Sequence, residues 1–179
     1  MRCFISIDLP KEVQEELSRV EEELKKENAQ LILVNPKNIH LTIKFLGEID
    51  DSQIKKVKEA LSKLQFSKFK AKLSSLGVFP SLSSIRVIWA DAEPKKNFKE
   101  IHDTVDKILF LEGFKTDEKW ENHATLARVK WIKDKKAFSE KLQKIKLKPI
   151  EFVVKDIKLK KSTLTPKVIY EDIMSVGLK

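Results

Sequence analysis

Two segments of the chain share one pattern. "NIHLTIKFLG", Asn38 to Gly47, and "NHATLARV", Asn122 to Val129, each place a threonine two positions after a histidine inside an alternating apolar run. In a strand, residues i and i+2 point to the same face. His40 and Thr42 therefore project together, with Leu41, Ile43 and Phe45 on the other face; His123 and Thr125 project together, with Ala124 and Leu126 opposite. The two histidines are 83 positions apart (123 − 40) in a chain of 179 residues. Repetition at about half the chain length predicts two similar lobes, each carrying one pair, with both pairs converging on one cleft.

A third match does not share that context. His102 and Thr104 in "IHDT" fall in an apolar-periodic stretch from Pro94 to Glu112, which reads as a helix. At about 100° per residue, side chains two apart diverge by about 200°. His102 is expected on the surface or flank of that helix, and Thr104 is expected to point away from the cleft.

The remaining elements are read from periodicity. "RCFISID" reads as a strand, and Pro10 opens a helix whose Val13, Leu17, Val20 and Leu24 recur at helical spacing. "AQLILV" and "IHLTIKFLGEI" read as strands. Asp51 or Ser52 is expected to cap a helix with Ile54, Val57, Leu61 and Leu64 inward. "FSKFKAKLSSLGVF" and "IRVIWADAE" are strands about the turn "PSLSS". Phe98, Ile101, Val105, Ile108 and Leu109 form the inner stripe of the helix after Pro94, with Gly113 at its C-cap. "NHATLARVKWI" is a strand, "DKKAFSEKLQKIK" a helix, and the tail from Glu151 carries two strands around the turn signal Thr165–Pro166. Strands and helices do not alternate regularly, so a doubly wound parallel sheet is disfavoured. The pattern predicts an α+β protein of two similar lobes, each an antiparallel sheet with flanking helices. With no Pro/Gly/Ser-rich linker, residues 1–179 read as a single bilobal domain.

Charge narrows the partner. Lys and Arg number 36 against 27 Asp and Glu, a net +9, which favours an anionic partner and nucleic acid first. A Lys/Glu-rich solvated surface of the hyperthermophile kind would carry similar charge. The single cysteine, Cys3, excludes an intramolecular disulfide and any zinc site built on several cysteines. No apolar stretch reaches the roughly 18 residues of a membrane span, and "MRCFISIDLP" lacks a signal-peptide pattern. The expected location is cytoplasmic.

Two convergent histidines can supply both proton transfers of phosphodiester cleavage near neutral pH, one imidazole accepting while one imidazolium donates. Threonine hydroxyls beside them can donate to phosphoryl oxygens as charge grows there. No Cys, Asp or Glu stands at ligand spacing beside either motif, so neither a metal nor another cofactor is expected. Lys44 shares strand parity with His40 and Thr42 and is expected in the cleft. Arg128 has the wrong parity relative to His123 unless the strand bulges before it. Phe45, Phe79 and Trp120 are candidates to stack on a base, or to serve as core or rim.

These segments resemble the 2H phosphoesterase superfamily, named for its two His-x-Thr/Ser motifs. Within it the chain is similar to the bacterial and archaeal RNA 2′,3′-cyclic phosphodiesterases, also called 2′-5′ RNA ligases. "RCFISIDLP", "NIHLTIKFLGEI", "GVFP", "IRVIWA", "GFKTDEKWENHATLARVK" and "KSTLTPKVIYEDI" match that family's order. Asn122 stands where the family often has proline, with a local backbone effect and an intact motif expected. The resemblance implies a bilobal α+β fold, no required metal, His40 as proton donor and His123 as proton acceptor. It also implies Thr42 and Thr125 as phosphate binders and Arg128 as a substrate contact. The implied reaction opens an RNA terminal 2′,3′-cyclic phosphate to a 2′-phosphomonoester. Reversible 2′-5′ joining of RNA ends and non-catalytic RNA binding remain the alternatives. RNA with a cyclic-phosphate end is the expected partner; no membrane or protein partner is implied.

Overall fold

A computed structural model of the chain describes residues 1–165 and 168–179. Pro166, half of the expected Thr165–Pro166 turn, lies outside them. In chain order the elements are β1 (Arg2–Asp8), α1 (Lys11–Lys25), β2 (Ala29–Leu33), β3 (His40–Glu48), α2 (Asp51–Ser62), β4 (Phe69–Ser81) and β5 (Ser84–Glu93). Then come α3 (Lys95–Leu111), β6 (Ala124–Ile132), α4 (Lys135–Lys144), β7 (Glu151–Val154), β8 (Asp156–Thr163) and β9 (Ile169–Gly177).

The helices form where the apolar stripes lie. Val13, Leu17, Val20 and Leu24 of α1 are each at most 1% exposed, and Phe98, Ile101, Val105 and Leu109 of α3 equally so. Gly113 ends α3 at φ 93°, a left-handed position where a side chain would be strained. The cap of α2 is one residue earlier than expected. Asp50 accepts from the Gln53 backbone N–H, and the Gln53 side chain accepts from the Asp50 N–H. Such reciprocal caps satisfy two otherwise orphaned donors, and losing the cap residue costs about 0.5–2 kcal/mol.

All strand pairs are antiparallel, in the order β7-β4-β5-β6-β3-β1-β8-β9, with β2 also on β6. The path reads as two four-strand halves meeting at β6 and β3, the two His-x-Thr strands. They join through one bridge, Leu41 with Ala124. The halves are not consecutive in sequence, because β8 and β9 return to pair beside β1. The described residues of the tail therefore hold three strands, not two. Lys155 separates β7, which pairs with β4, from β8, which pairs with β1, so one continuous strand could not serve both neighbours. With one residue between β7, at one end of the path, and β8, next to the other end, the sheet must curl. Backbone bonds from Leu178 N to Lys155 O and from Lys179 N to Phe66 O pin that closure. One hydrophobic cluster runs through both halves, including Ile5 and Ile43 on one side and Ile88 and Leu126 on the other.

Candidate active site

The Leu41–Ala124 bridge puts the two motifs side by side. One step either way along this antiparallel register, His40 lies across from Thr125, and Thr42 across from His123. Leu41 and Ala124 point into the core at 1% and 0% exposure, so the four motif residues share the opposite face. The histidines occupy one diagonal of this square and the threonines the other, and such diagonals usually span about 7–8 Å.

Each histidine is oriented by the same local bond. His40 Nδ1 lies 2.7 Å from Asn38 O, and His123 Nδ1 lies 2.8 Å from Glu121 O, in both cases the carbonyl two residues back. A carbonyl only accepts, so Nδ1 must carry the hydrogen. Nε2 is then the nitrogen that accepts when the ring is neutral and donates when it is charged. Aromatic rings hold the imidazoles in place. His40 stacks on Phe4 at 4.8 Å and meets the Tyr170 edge at 5.3 Å. His123 meets Phe79 at 5.1 Å and Trp89 at 6.1 Å. A Cβ on Gly77 would sit 2.2 Å from the Trp89 ring, so glycine there lets the indole lie against β4.

Burial among these rings lowers the His40 pKa from its ordinary value. The bond to Asn38 O and the Asp8 carboxylate oppose that shift, while Lys160 and His123 add to it. Asp8 is the cross-strand partner of His40. Its carboxylate is held by Lys158 at 2.9 Å and Lys160 at 3.0 Å, and both lysines also reach Asp172.

A bulge comes directly after each threonine. β5 pairs Val87 with Arg128 and Ile88 with Ala127, but Trp89 with Thr125, leaving Leu126 as an extra residue in β6. β1 pairs Ile5 with Lys44 and Ser6 with Thr42, leaving Ile43 as the extra residue in β3. Each extra residue shifts the alternation of the residues beyond it. Arg128 therefore turns to the histidine face, where its charge acts on Tyr170, the ring beside His40.

The LigT like Phosphoesterase family profile matches the chain twice, over residues 7–89 and 90–170, one histidine motif in each match. The chain is 39% identical to an RNA 2′,3′-cyclic phosphodiesterase of Methanocaldococcus jannaschii over 175 residues, covering 97% of this chain and 98% of the relative. It is 34% identical to one of Thermotoga maritima, covering 99% and 98%. This chain belongs to the LigT-like phosphoesterase family. In fold it is similar to TT0787 of Thermus thermophilus, with TM-score 0.83, 23% identity and coverage of 99% and 97%.

The bulges settle two positions that simple alternation misplaces in this LigT-like chain. Lys44 does not enter the cleft. It is 2% exposed beneath β3, where Nζ pairs with Asp106 and with Asp117 at 3.3 Å and donates to Lys115 O at 2.8 Å. Phe45, expected on the core face, instead turns up beside Phe4 with its ring 65% exposed. His102 also departs from expectation. It is 5% exposed, stacked on Trp120 at 4.5 Å, with Asp103 at Nδ1 and Asp117 at Nε2. Trp120 donates its Nε1–H to Thr42 O at 3.0 Å and so takes a place in the scaffold beneath the threonine. His102, Asp106 and Asp117 bring their ligand atoms within 4.8 Å of one another, a spacing that can hold a cation. The Lys44 ammonium already answers both carboxylates there, on the side of β3 away from the histidines. Asn122 acts as a side-chain clamp: it donates from Nδ2 to Ala92 O at 2.8 Å, tying the approach to β6 onto β5.

Phe4, Tyr170, Trp89 and Gly77 frame the site without having been singled out from sequence. Only Gly77 left a sign there, as a glycine inside an alternating strand.

Proposed function

We propose that the chain hydrolyses the 2′,3′-cyclic phosphate at an RNA end to a 2′-phosphomonoester, with the two histidines as base and acid. The observation that carries this reading is the pair of imidazoles on one sheet face, each with Nδ1 tied to a carbonyl and Nε2 left for chemistry. The name shared by the relatives, RNA 2′,3′-cyclic phosphodiesterase, supports the substrate. So does the net charge of +9.

In this mechanism His123 Nε2 takes a proton from water as its oxygen attacks phosphorus. The bond from phosphorus to the 3′ oxygen breaks, and protonated His40 Nε2 gives that oxygen its proton. A 2′-phosphomonoester and a free 3′-hydroxyl result. Thr42 and Thr125, on the other diagonal, donate to the phosphoryl oxygens, and Arg128 offsets their charge. Burial disfavours the His40 imidazolium in the free protein. The substrate's negative charge opposes that bias as it binds and so favours the charged donor. All proton transfers are assigned to side chains, so no metal is required. The expected working place is the cytoplasm, and among the described residues no helix is long and apolar enough to cross a membrane.

The test is an oligoribonucleotide ending in a 2′,3′-cyclic phosphate, incubated with the protein in EDTA, with mapping of the products. A 2′-phosphate end is expected. A 3′-phosphate would reverse the assigned leaving group, joined ends would favour ligation, and unchanged RNA would end the hydrolase reading.

A further inference from the structure

β3 and β6 meet through a single backbone rung, Leu41 with Ala124. In the reading above, one motif from each strand must work on the same phosphate. One rung sets how near the strands come and leaves them free to turn about it. The core that they share adds attraction without direction. A second directional contact crosses the same seam. Trp120 donates its Nε1–H to Thr42 O at 3.0 Å, from the segment leading into β6 to the strand opposite.

We propose that Trp120 is a positioning residue for the reaction. Its indole N–H supplies the cross-seam bond that the ladder omits, and so fixes Thr42 of one motif against His123 of the other. The proposal rests on the hydrolase reading above. The chain makes the link short. Glu121 follows Trp120, and its carbonyl lies 2.8 Å from His123 Nδ1. Asn122 comes next and donates to Ala92 O of β5 at 2.8 Å. Consecutive residues thus tie the approach to β6 to the threonine strand, to the second histidine and to β5. A displacement of Trp120 reaches the Thr42 backbone and the carbonyl that orients His123 together.

The indole is itself held. Its face lies on the His102 ring, with centres 4.5 Å apart and planes within 15°. His102 is buried on α3, and its Nε2 stands 3.1 Å from Asp117 Oδ2. The other oxygen of Asp117 lies 3.3 Å from Lys44 Nζ, back on β3. The path from Lys44 through Asp117, His102 and Trp120 therefore returns to its own strand at Thr42, a closed loop of contacts. The third His-x-Thr gains a part in this. His102 supplies a flat backing for the indole, while Thr104 turns back to Glu100 O in its own helix. Phenylalanine at position 120 would keep the stack and lose the donor.

Trp120→Phe therefore isolates the bond. On an oligoribonucleotide ending in a 2′,3′-cyclic phosphate, kcat should fall about ten- to a hundredfold, the larger figure being the loss that a misplacement of about 1 Å can cause. KM should stay nearly unchanged, as for a contact that acts in the transition state. In a Thr42→Ala background the same change should cost markedly less, because the hydroxyl that it positions is gone. An equal loss in both backgrounds would mean that Trp120 only supports the fold, and full activity in Trp120→Phe would remove the clasp. Trp131→Phe, the same change at an exposed tryptophan, should match wild type; a loss equal to that of Trp120→Phe would overturn the assignment. If the wild type leaves the cyclic phosphate unopened, the hydrolase reading fails. The clasp is then judged by amide hydrogen exchange in the free protein. It stands if Trp120→Phe speeds exchange beside the Leu41–Ala124 rung and leaves the β1–β8 pairing unchanged, and falls if exchange quickens uniformly or not at all. Should Trp120→Phe not fold, the wild type decides: the Trp120 Nε1–H should be protected like the amides beside that rung, and exchange at the rate of a solvent-open indole would overturn the clasp.

Discussion

β3 and β6 are built by the same rules and end in different chemistry. Each has a histidine at or just before its first residue, tied to the carbonyl two residues back; each offers a threonine on the same face, and each bulges just after it. Beyond the bulge they part. The residue turned under is Lys44 in β3 and Ala127 in β6; the residue turned up is Phe45 in one and Arg128 in the other. The shared part places two imidazoles and two hydroxyls on one face of the sheet. The unshared part makes the square directional, with a cation at one corner and a ring at another. The two copies thus provide matched backbone positions, and the side chains beyond the bulges make the two ends of the square unlike.

The largest effects should come from breaking the shared part. His40→Ala and His123→Ala should each lower turnover by roughly 10²–10⁴-fold. Both act in one transition state, so the double variant should be little worse than the poorer single one. Single-turnover rates on a cyclic-phosphate oligonucleotide measure this, and either variant retaining more than about a tenth of wild-type activity would break the two-histidine account.

Lys44→Ala attacks a difference between the strands. It leaves Asp106 and Asp117 without their ammonium, a loss of about 3–5 kcal/mol for a broken buried pair. The urea midpoint should fall accordingly. Ala127→Gly, at the twin position, removes no charge and should cost far less. Equal midpoints for Lys44→Ala and wild type would show that the ion cluster contributes nothing to the fold.

Thr42→Ala and Thr125→Ala should each cost about 1.5–3 kcal/mol of transition-state stabilisation, or roughly ten- to a hundredfold in kcat. Thr104→Ala should match wild type, since its hydroxyl donates to Glu100 O within its own helix at 2.8 Å. A comparable loss in Thr104→Ala would mean that the third His-x-Thr takes part after all.

The smallest effect concerns charge on His40. Its folded pKa is depressed by burial, so the unfolded chain binds its proton first as pH falls below about 6.5. This residue's contribution to stability therefore declines with acid from that value down to the folded pKa. Tyr170→Ala, which opens the ring to water, should move the His40 titration upward in NMR. A downward shift would show that Tyr170 does not desolvate His40.

Sequence patterns carry as far as the threonines and no farther. His-x-Thr is legible because residues two apart share a face in any regular strand. "TIKF" and "TLAR" contain no glycine or other local sign of a bulge. The extra residue is set by the registers of β1 and β5, which are distant in sequence, so alternation alone puts Lys44 and Phe45 on the wrong faces. Periodicity misplaces His102 for a related reason. Its helix is readable, but Trp120 and Asp117 close over it from a segment without periodicity. Pairing partners also decide the tail, where one run of strand-forming residues is split between β4 and β1.

The bulge at Ile43 bears on how such a site can change its preference. Which side chain stands on the histidine face beyond Thr42 depends on the register against β1 as much as on the residues of β3. Sliding the far half of β3 by one residue, so that Ile43 rejoined the ladder, would carry the Lys44 ammonium up toward the histidine face and Phe45 down toward Asp106 and Asp117. A ring would be exchanged for a cation without altering any side chain of the strand, at the expense of an unpaired acidic cluster. Deleting Ile43 would do the reverse: Lys44 would come directly after Thr42 and stay beneath, Phe45 would stay above, and the ladder would run unbroken as far as Phe45. A neighbouring strand can thus change which side chain this one presents beside the histidines, and losing a residue beside the motif can leave that choice intact.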